Sequence, residues 1–270
     1  MAQRGLVDKT NVYLAESDKE EDKPDIVNPS DNVDIDNTED NVENTAENSN
    51  GTVPLVQRQT ITLKDGRKIT INQPEVHLDN EILQVRKTGD LIYKGLKPAD
   101  NQITQAGLLR DKKNNKIFPI ILLNHGNKTS NIPKGGQWLG NFFGEFQGKK
   151  NAYDVIGDAK AQVNLAQDRI TGNVDNLSAQ PADSNLGYQP LNGKVTFDGK
   201  INNDEWTGTA NSKNLVNPET NEVFTPNNGT TNGVFITANK EAATEAAGQI
   251  TLTNGNNEGL VGAVVMQHQP

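Results

Sequence analysis

The chain has 270 residues, no cysteine and a formal net charge of −9 at pH 7. The absence of cysteine excludes disulfide scaffolds, thiolate metal sites, Fe–S clusters and cysteine nucleophiles. Hydrophobic residues make up 33% of the chain, against roughly 45–50% apolar residues, glycine included, in ordinary globular domains. The longest apolar run, residues 117–123, is far shorter than the roughly 18 residues that a membrane-spanning helix needs. No secretion signal is recognisable, so we expect that it was removed or was never present.

The first part of the chain is strongly acidic. Between residues 16 and 47, thirteen carboxylates stand against two lysines, a net charge of −11, and no aromatic residue occurs. Such a stretch cannot bury enough apolar surface to offset the loss of chain entropy on folding. Residues 1–55 are therefore predicted to be disordered and extended, either as a tether that holds the folded part away from its anchor or as a solvated tail without a role. Asp34, Asp36 and Asp40 alternate as in a calcium loop, but the required Gly and Glu are not in place, so no metal site is expected.

Residues 56–133 predict a small β-rich domain. Two alternating segments, 59–64 and 67–72, flank Asp65-Gly66, a two-residue turn that favours positive φ, and this predicts a β-hairpin. Further strands are predicted at 81–86, 90–94, 102–109 and 116–123.

Residues 134–270 predict a second, all-β domain. The segments alternate polar with apolar residues and are separated by turn residues, as in an up-and-down antiparallel barrel. The eight strands are predicted at 138–146, 159–166, 169–176, 191–200, 205–212, 233–237, 247–254 and 260–268. Residues 239–246, rich in Ala and Glu, are the only segment with a helical pattern, and they are too short for independent stability. The lack of strand–helix alternation excludes Rossmann, P-loop and TIM-barrel folds.

Candidate chemistry is sparse, and no catalytic residue or enzyme activity is predicted. His77, His125 and His268 are the only histidines, and their spacing fits no zinc motif. His125 follows the apolar run and precedes Gly126, so it is either an ordinary loop residue or an axial ligand for haem beside an apolar surface. We expect no cofactor, with haem as the alternative. Nucleic acid is not an expected partner, because the basic residues are scattered.

The densest aromatic cluster comprises Trp138, Phe142, Phe143 and Phe146. On a strand these side chains divide between the two faces. Core packing and barrel closure are the expected roles, and one outward ring could contact a partner.

Several motifs late in the chain resemble a known family. Gly233-Val-Phe-Ile-Thr-Ala-Asn239 is followed by Gly248-Gln-Ile250 and then by Gly262-Ala-Val264, and Trp206-Thr-Gly208 precedes them. In this order and spacing, which covers residues 134–270, the motifs resemble the closing strands of the transferrin-binding-protein-B-like barrel found in Slam-dependent surface lipoproteins and in hemophilin-like haem carriers.

The resemblance implies a surface-exposed outer-membrane lipoprotein with a handle domain at 56–133 and a barrel at 134–270. It also implies export by a Slam-type translocon, a host ligand as partner, and membrane attachment only through a lipid anchor. Neither the lipidated cysteine nor a signal peptide is in this chain. The expected function is non-enzymatic host association or colonisation, and the alternative is haem acquisition.

Overall fold

The computed structural model describes residues 14–15, 59–62, 68–71, 75–77, 83–88, 91–96, 102–111, 116–123 and 126–270, except 183, 185, 240, 256 and 257. All of these belong to one unit of the chain, Met1–Ser17 with Gln57–Pro270, and a second unit, Asp18–Val56, lies outside the described residues. Within the described residues, no helix has the length and apolarity needed to cross a bilayer.

The residues that the structure describes form 18 strands. In chain order they are β1 Leu14–Ala15, β2 Gln59–Thr62, β3 Lys68–Ile71, β4 Glu75–His77, β5 Leu83–Thr88, β6 Leu91–Leu96, β7 Thr104–Asp111, β8 Lys116–Leu123, β9 Asn127–Lys128, β10 Gln137–Gln147, β11 Ala152–Asn164, β12 Arg169–Pro181, β13 Gln189–Pro190, β14 Lys194–Asn202, β15 Glu205–Lys213, β16 Asn228–Thr237, β17 Glu245–Thr253 and β18 Gly259–Gln269.

Eight of these strands close into an antiparallel barrel, as the sequence predicts. Each of β10, β11, β12, β14, β15, β16, β17 and β18 pairs with its neighbours in the chain, and β18 returns to pair with β10 along its full length. β9 and β13 add short pairings to β16 and β12. Except for β14, the barrel strands are longer than the alternation alone predicts, because pairing extends into segments whose side chains are small or polar.

The helical pattern at 239–246, which is too short for independent stability, gives no helix among the residues described there. Residues 241–242 form a bend, and β17 begins at Glu245. Ala246 and Ala247 instead pair with Met266 and Val265 of β18. Pairing between two established strands outweighs the weak helix propensity of a short Ala- and Glu-rich segment.

A six-stranded sheet lies outside the barrel, in the order β1-β8-β7-β6-β5-β4, and the predicted hairpin forms β2 and β3. We call the six strands the small sheet. β4 was not predicted, because a strand of three residues is too short to show alternation. β1 lies in the segment predicted to be disordered and pairs in parallel with β8, and the other residues of 1–55 lie outside the described residues. The proposed boundary between residues 133 and 134 stays a prediction.

The barrel interior is filled by side chains. Trp138, Phe235 and Trp206 form a continuous aromatic row, with ring centroids 5.5 Å and 5.2 Å apart. Both tryptophans are almost completely buried. The larger rings fit because they face glycine on neighbouring strands, as Trp206 does at Gly233. An eight-stranded barrel has an interior just wide enough for such packing.

The aromatic cluster divides as predicted. Trp138, Phe142 and Phe146 point inward and belong to the barrel core. Phe143 points outward, but the small sheet covers it, and it packs against Leu96 and Leu108. The outward ring therefore joins two layers of one protein and is unavailable to a partner.

Gly233→Ala should destabilise the protein by about 1–3 kcal/mol, because overfilled cores force side chains and backbone to shift. An added Cβ would overlap the ring of Trp206 and the carbonyl oxygen of Ala247. The urea midpoint measures the effect. Gly255→Ala is the control, since its Cβ would meet Asn227 at an ordinary 3.4 Å. Equal midpoints for the two variants would contradict the packing described for Trp206.

Candidate binding surface at the loop end of the barrel

The two ends of the barrel differ because an up-and-down meander places alternate connections at opposite ends. One end carries residues 148–151, 182–188, 191–193, 214–227 and 254–258, together with the short strand β13, and we call it the loop end. The other end carries the connections 165–168, 203–204 and 238–244, and we call it the turn end. Long structured loops on a rigid scaffold are where binding residues concentrate.

Residues 214–227 form a small folded cap over the barrel interior. Leu215 and Phe224 are buried, and Phe224 packs edge-on against Phe146 at 5.1 Å. Val216 and Val223 form an antiparallel bridge beside them. The base of the loop therefore closes the interior at this end, and its tip projects outward.

Hydrogen bonds fix this cap to the neighbouring connections. The Glu219 carboxylate accepts bonds from the backbone N–H groups of Lys150 and Asn151, with Oε1 at 3.0 and 2.9 Å. The N–H of Val216 donates to the carbonyl oxygen of Asn192 at 3.0 Å. The connections of the loop end thus hold one another in a defined arrangement.

The loop end also presents apolar side chains to solvent. Leu186 is 78% exposed and Val223 is 61% exposed, and Leu139 on the outer face of β10 is the next at 37%. Isolated exposed apolar residues are common on protein surfaces. These two have defined local contacts: the Leu186 N–H donates to Ser184 Oγ at 3.0 Å, and Val223 forms the bridge of the cap with Val216.

Close to Leu186, Tyr188 connects the loop end to the small sheet. Its side chain packs against the cluster formed by Leu108, Ile117 and Val261. Burial raises the pKa of the Tyr188 hydroxyl well above its ordinary value, and the nearby Asp154 carboxylate adds to the shift. Tyr188 therefore stays neutral at physiological pH.

Ion pairs fix the small sheet to the outer wall of the barrel. Lys94 Nζ lies 2.7 Å from Asp154 Oδ2, and Arg110 pairs with Glu145. Both carboxylates are almost completely buried. Removing one partner of such a pair is costly, because it leaves a buried charge unpaired.

Two further hydrogen bonds join the layers. The Glu245 carboxylate accepts from the N–H of Ile103 at 2.9 Å. Gln249 Nε2 donates to the carbonyl oxygen of Pro119, also at 2.9 Å. Together with the ion pairs, these bonds set the position of the small sheet on the barrel.

Burial raises the pKa of Glu145, and Arg110 opposes the shift. Burial raises the pKa of Glu245 as well, and the hydrogen bond from Ile103 opposes it. Both shifts arise because the small sheet removes water from the outer face of the barrel.

The histidines do not come together as a site within the described residues. His125, the predicted haem ligand, lies outside them, so its role stays a prediction. His268 lies at the turn end, where Nε2 is 3.0 Å from the carbonyl oxygen of Gly135 and the ring contacts Trp138. No group of three or more potential metal ligands occurs in the part of the chain that the structure describes.

Sequence reasoning missed both the exposed loop residues and the buried charges. Leu186 and Val223 lie outside the alternating segments, and no pattern distinguishes an exposed apolar loop residue from a buried one. Glu145 and Asp154 alternate with apolar residues and so resemble solvated positions. A signal for their burial existed in β18, where consecutive apolar residues occupy both faces.

No protein-family model matches the chain. No curated protein matches it either. Among solved structures, a single-substitution variant of the vaccine antigen transferrin binding protein B from Haemophilus parasuis is similar, with 17% identity over 76% of this chain and a TM-score of 0.48. Isotype 1 transferrin binding protein B from serogroup B Neisseria meningitidis is similar at 12% identity over 79% of this chain, with a TM-score of 0.44.

The chain spans about 40% of the length of these two proteins. At such identities and TM-scores, no conclusion about ligand, activity or partner follows from the likeness. The function must therefore be argued from the chain's own geometry.

The pH dependence of stability tests the burial of Glu145. Because the folded-state pKa lies above the ordinary value of 4.5, the folded protein retains a proton that the unfolded chain has already lost. The contribution of Glu145 to stability therefore falls as the pH rises from 4.5 through the folded-state pKa. Glu145→Gln removes this titration.

Urea midpoints of the parent protein and Glu145→Gln between pH 4 and pH 7 measure the difference. We expect it to shift in favour of the variant as the pH rises. A constant difference, or a shift in favour of the parent, would show that the carboxyl group is not desolvated as described.

Proposed function

We propose that this chain is a non-enzymatic binding protein that recognises a host molecule through the loop end of its barrel. One observation carries the proposal: Leu186 and Val223 are held exposed on hydrogen-bonded loops at one end of a barrel whose interior its own side chains fill. A filled barrel leaves recognition to its outer surface. The hydrogen bonds that hold the cap at 214–227 also limit the entropy that it loses on binding, which favours affinity.

The structure of the loop end fits a macromolecular partner better than a small molecule. Exposed apolar side chains surrounded by polar loop residues are typical of protein interfaces. The surrounding polar residues here include the exposed Thr220, Asn221 and Glu222, which can form a hydrogen-bonding rim. Shape and apolar contact, with few fixed charges, would then define the partner.

The proposed location and biological role are supported by sequence resemblance. The motifs between Gly233 and Val264 resemble those of Slam-dependent surface lipoproteins with a transferrin-binding-protein-B-like barrel. The proposal therefore includes display on the bacterial outer membrane, export by a Slam-type translocon, and a lipid anchor outside this chain. A single barrel with one small additional domain resembles the nematode intestinal localization protein, a colonisation factor, and this makes symbiotic or host colonisation the proposed role.

The double variant Leu186→Ser/Val223→Ser should weaken saturable binding of the purified, labelled protein to nematode intestinal tissue by at least about tenfold. The minority of interface residues that anchor a partner each cost more than about 1 kcal/mol when truncated, so the loss of two anchors corresponds to at least about tenfold in affinity. Leu139→Ser is the matched control, because it removes the third exposed large side chain from a different part of the barrel.

Thermal midpoints of both variants should equal that of the parent, since exposed substitutions change stability little. Unchanged tissue binding by the double variant, or equal loss with Leu139→Ser, would contradict recognition through the loop end.

A further inference from the structure

An open cleft lies at the turn end of the barrel, opposite the proposed recognition surface. Its volume is about 810 Å³, and its walls are residues 134–136 on one side and the end of β11, residues 165–167 and the start of β12 on the other. A second cleft of about 420 Å³ continues along the outer faces of β11, β12 and β14. Gln162 and Thr171 line both, so the two form one elongated groove, which we call the turn-end cleft.

The charge of the turn-end cleft is opposite to that of the chain. Its lining includes Lys134, Lys160, Arg169 and Lys194 and no Asp or Glu, although the chain as a whole carries a net charge of −9. A groove lined by one sign of charge concentrates ligands of the other sign.

Two of these four cations are already paired. Arg169 Nε donates to Asp198 Oδ1 at 2.7 Å, and Lys160 Nζ lies 3.4 Å from Asp175. Arg169 lowers the pKa of Asp198, mainly through the hydrogen bonds it donates. Lys134 and Lys194 have no carboxylate partner among the described residues, so their charges are available to a ligand.

The remaining lining supplies hydrogen-bonding groups. Amides and hydroxyls of Gln162, Asn164, Asn173 and Thr196 line the cleft, and no aromatic ring does. Neutral sugars bind best where an aromatic face provides apolar contact area. The turn-end cleft has amides, hydroxyls and cations but no aromatic ring in its lining. It therefore favours a ligand that combines hydroxyl groups with negative charges.

The walls of the turn-end cleft are held in place. The Gly135 carbonyl oxygen is bound by His268, and Gly135 and Gly136 have φ of 79° and 74°, a conformation that few residues other than glycine adopt. Across the cleft, Asn164 Nδ2 donates to Gln167 Oε1 at 3.0 Å. The groove is therefore formed before any ligand arrives.

From this geometry we propose that the turn-end cleft binds an acidic polysaccharide, one that carries sulfate or uronate groups. The groove is open along the barrel wall, so a chain of sugar units can lie in it and extend beyond both ends. Lys134 and Lys194 bind the anionic groups, and the amide and hydroxyl side chains bind the sugar hydroxyls. This site is separate from the loop end. The proposal for either site can be wrong without affecting the proposal for the other.

Calorimetric titration of the full chain with short dextran sulfate at 150 mM salt tests the proposal, with unmodified dextran of the same length as the uncharged comparison. We expect saturable binding of dextran sulfate and none of dextran. Lys134→Glu/Lys194→Glu should weaken binding by at least about tenfold, because two attractive contacts become repulsive.

Lys149→Glu/Lys150→Glu changes the net charge by the same amount at the loop end and should weaken binding less than about twofold. If the two double variants lost equal affinity, the binding would be non-specific charge attraction and the proposal would be overturned. An absence of dextran sulfate binding would also overturn it. A polyglutamate peptide is the competing ligand. If it binds the parent as tightly as dextran sulfate does and loses affinity in the Lys134→Glu/Lys194→Glu variant, the cleft is a site for acidic peptides instead. Thermal midpoints of both variants confirm that they are folded.

Discussion

The burial of β18 on both faces is the constraint on which the rest of the structure depends. Its inward side chains fill the barrel, and its outward side chains, Val261, Ala263 and Val265, pack against the small sheet. The same strand closes the barrel by pairing with β10. Closure of the barrel and attachment of the small sheet are thus properties of one strand. In a chain with only 33% hydrophobic residues, using one strand for both layers reduces the number of apolar side chains required.

Because this arrangement fills the interior and covers one wall, it restricts recognition to the two barrel ends and the uncovered wall. The loop end offers the exposed apolar side chains of Leu186 and Val223, whereas the turn end offers a cation-lined groove with amide and hydroxyl walls. These surfaces suit different chemistry: an apolar patch for a protein-like partner and a charged groove for an acidic polymer. The buried ion pairs of Lys94 and Arg110 contribute indirectly, since they fix the small sheet and Tyr188 beside the loop end.

Most of the fold could be predicted from local pattern, because alternation of period two and two-residue turns are properties of short segments. The eight barrel strands and the Asp65-Gly66 hairpin were of this kind. The helical pattern of residues 239–246 gave no helix, since local propensity carries no information about the pairing of Ala246 with Met266. The candidate surfaces depend on residues distant in sequence. Lys134 and Lys194 line the same groove only after the barrel closes, and Glu145 is buried only after the small sheet covers it.

The central claim is that the small sheet and the barrel form one cooperative structure joined through β18 and β10. Equilibrium unfolding in urea tests it most directly with two probes: fluorescence of Trp138 and Trp206, the chain's only tryptophans and both in the barrel core, and hydrogen exchange of peptides from β7 and β8. The account predicts that both probes report the same midpoint. Loss of protection in β7 and β8 at a urea concentration where the tryptophans remain native would contradict it.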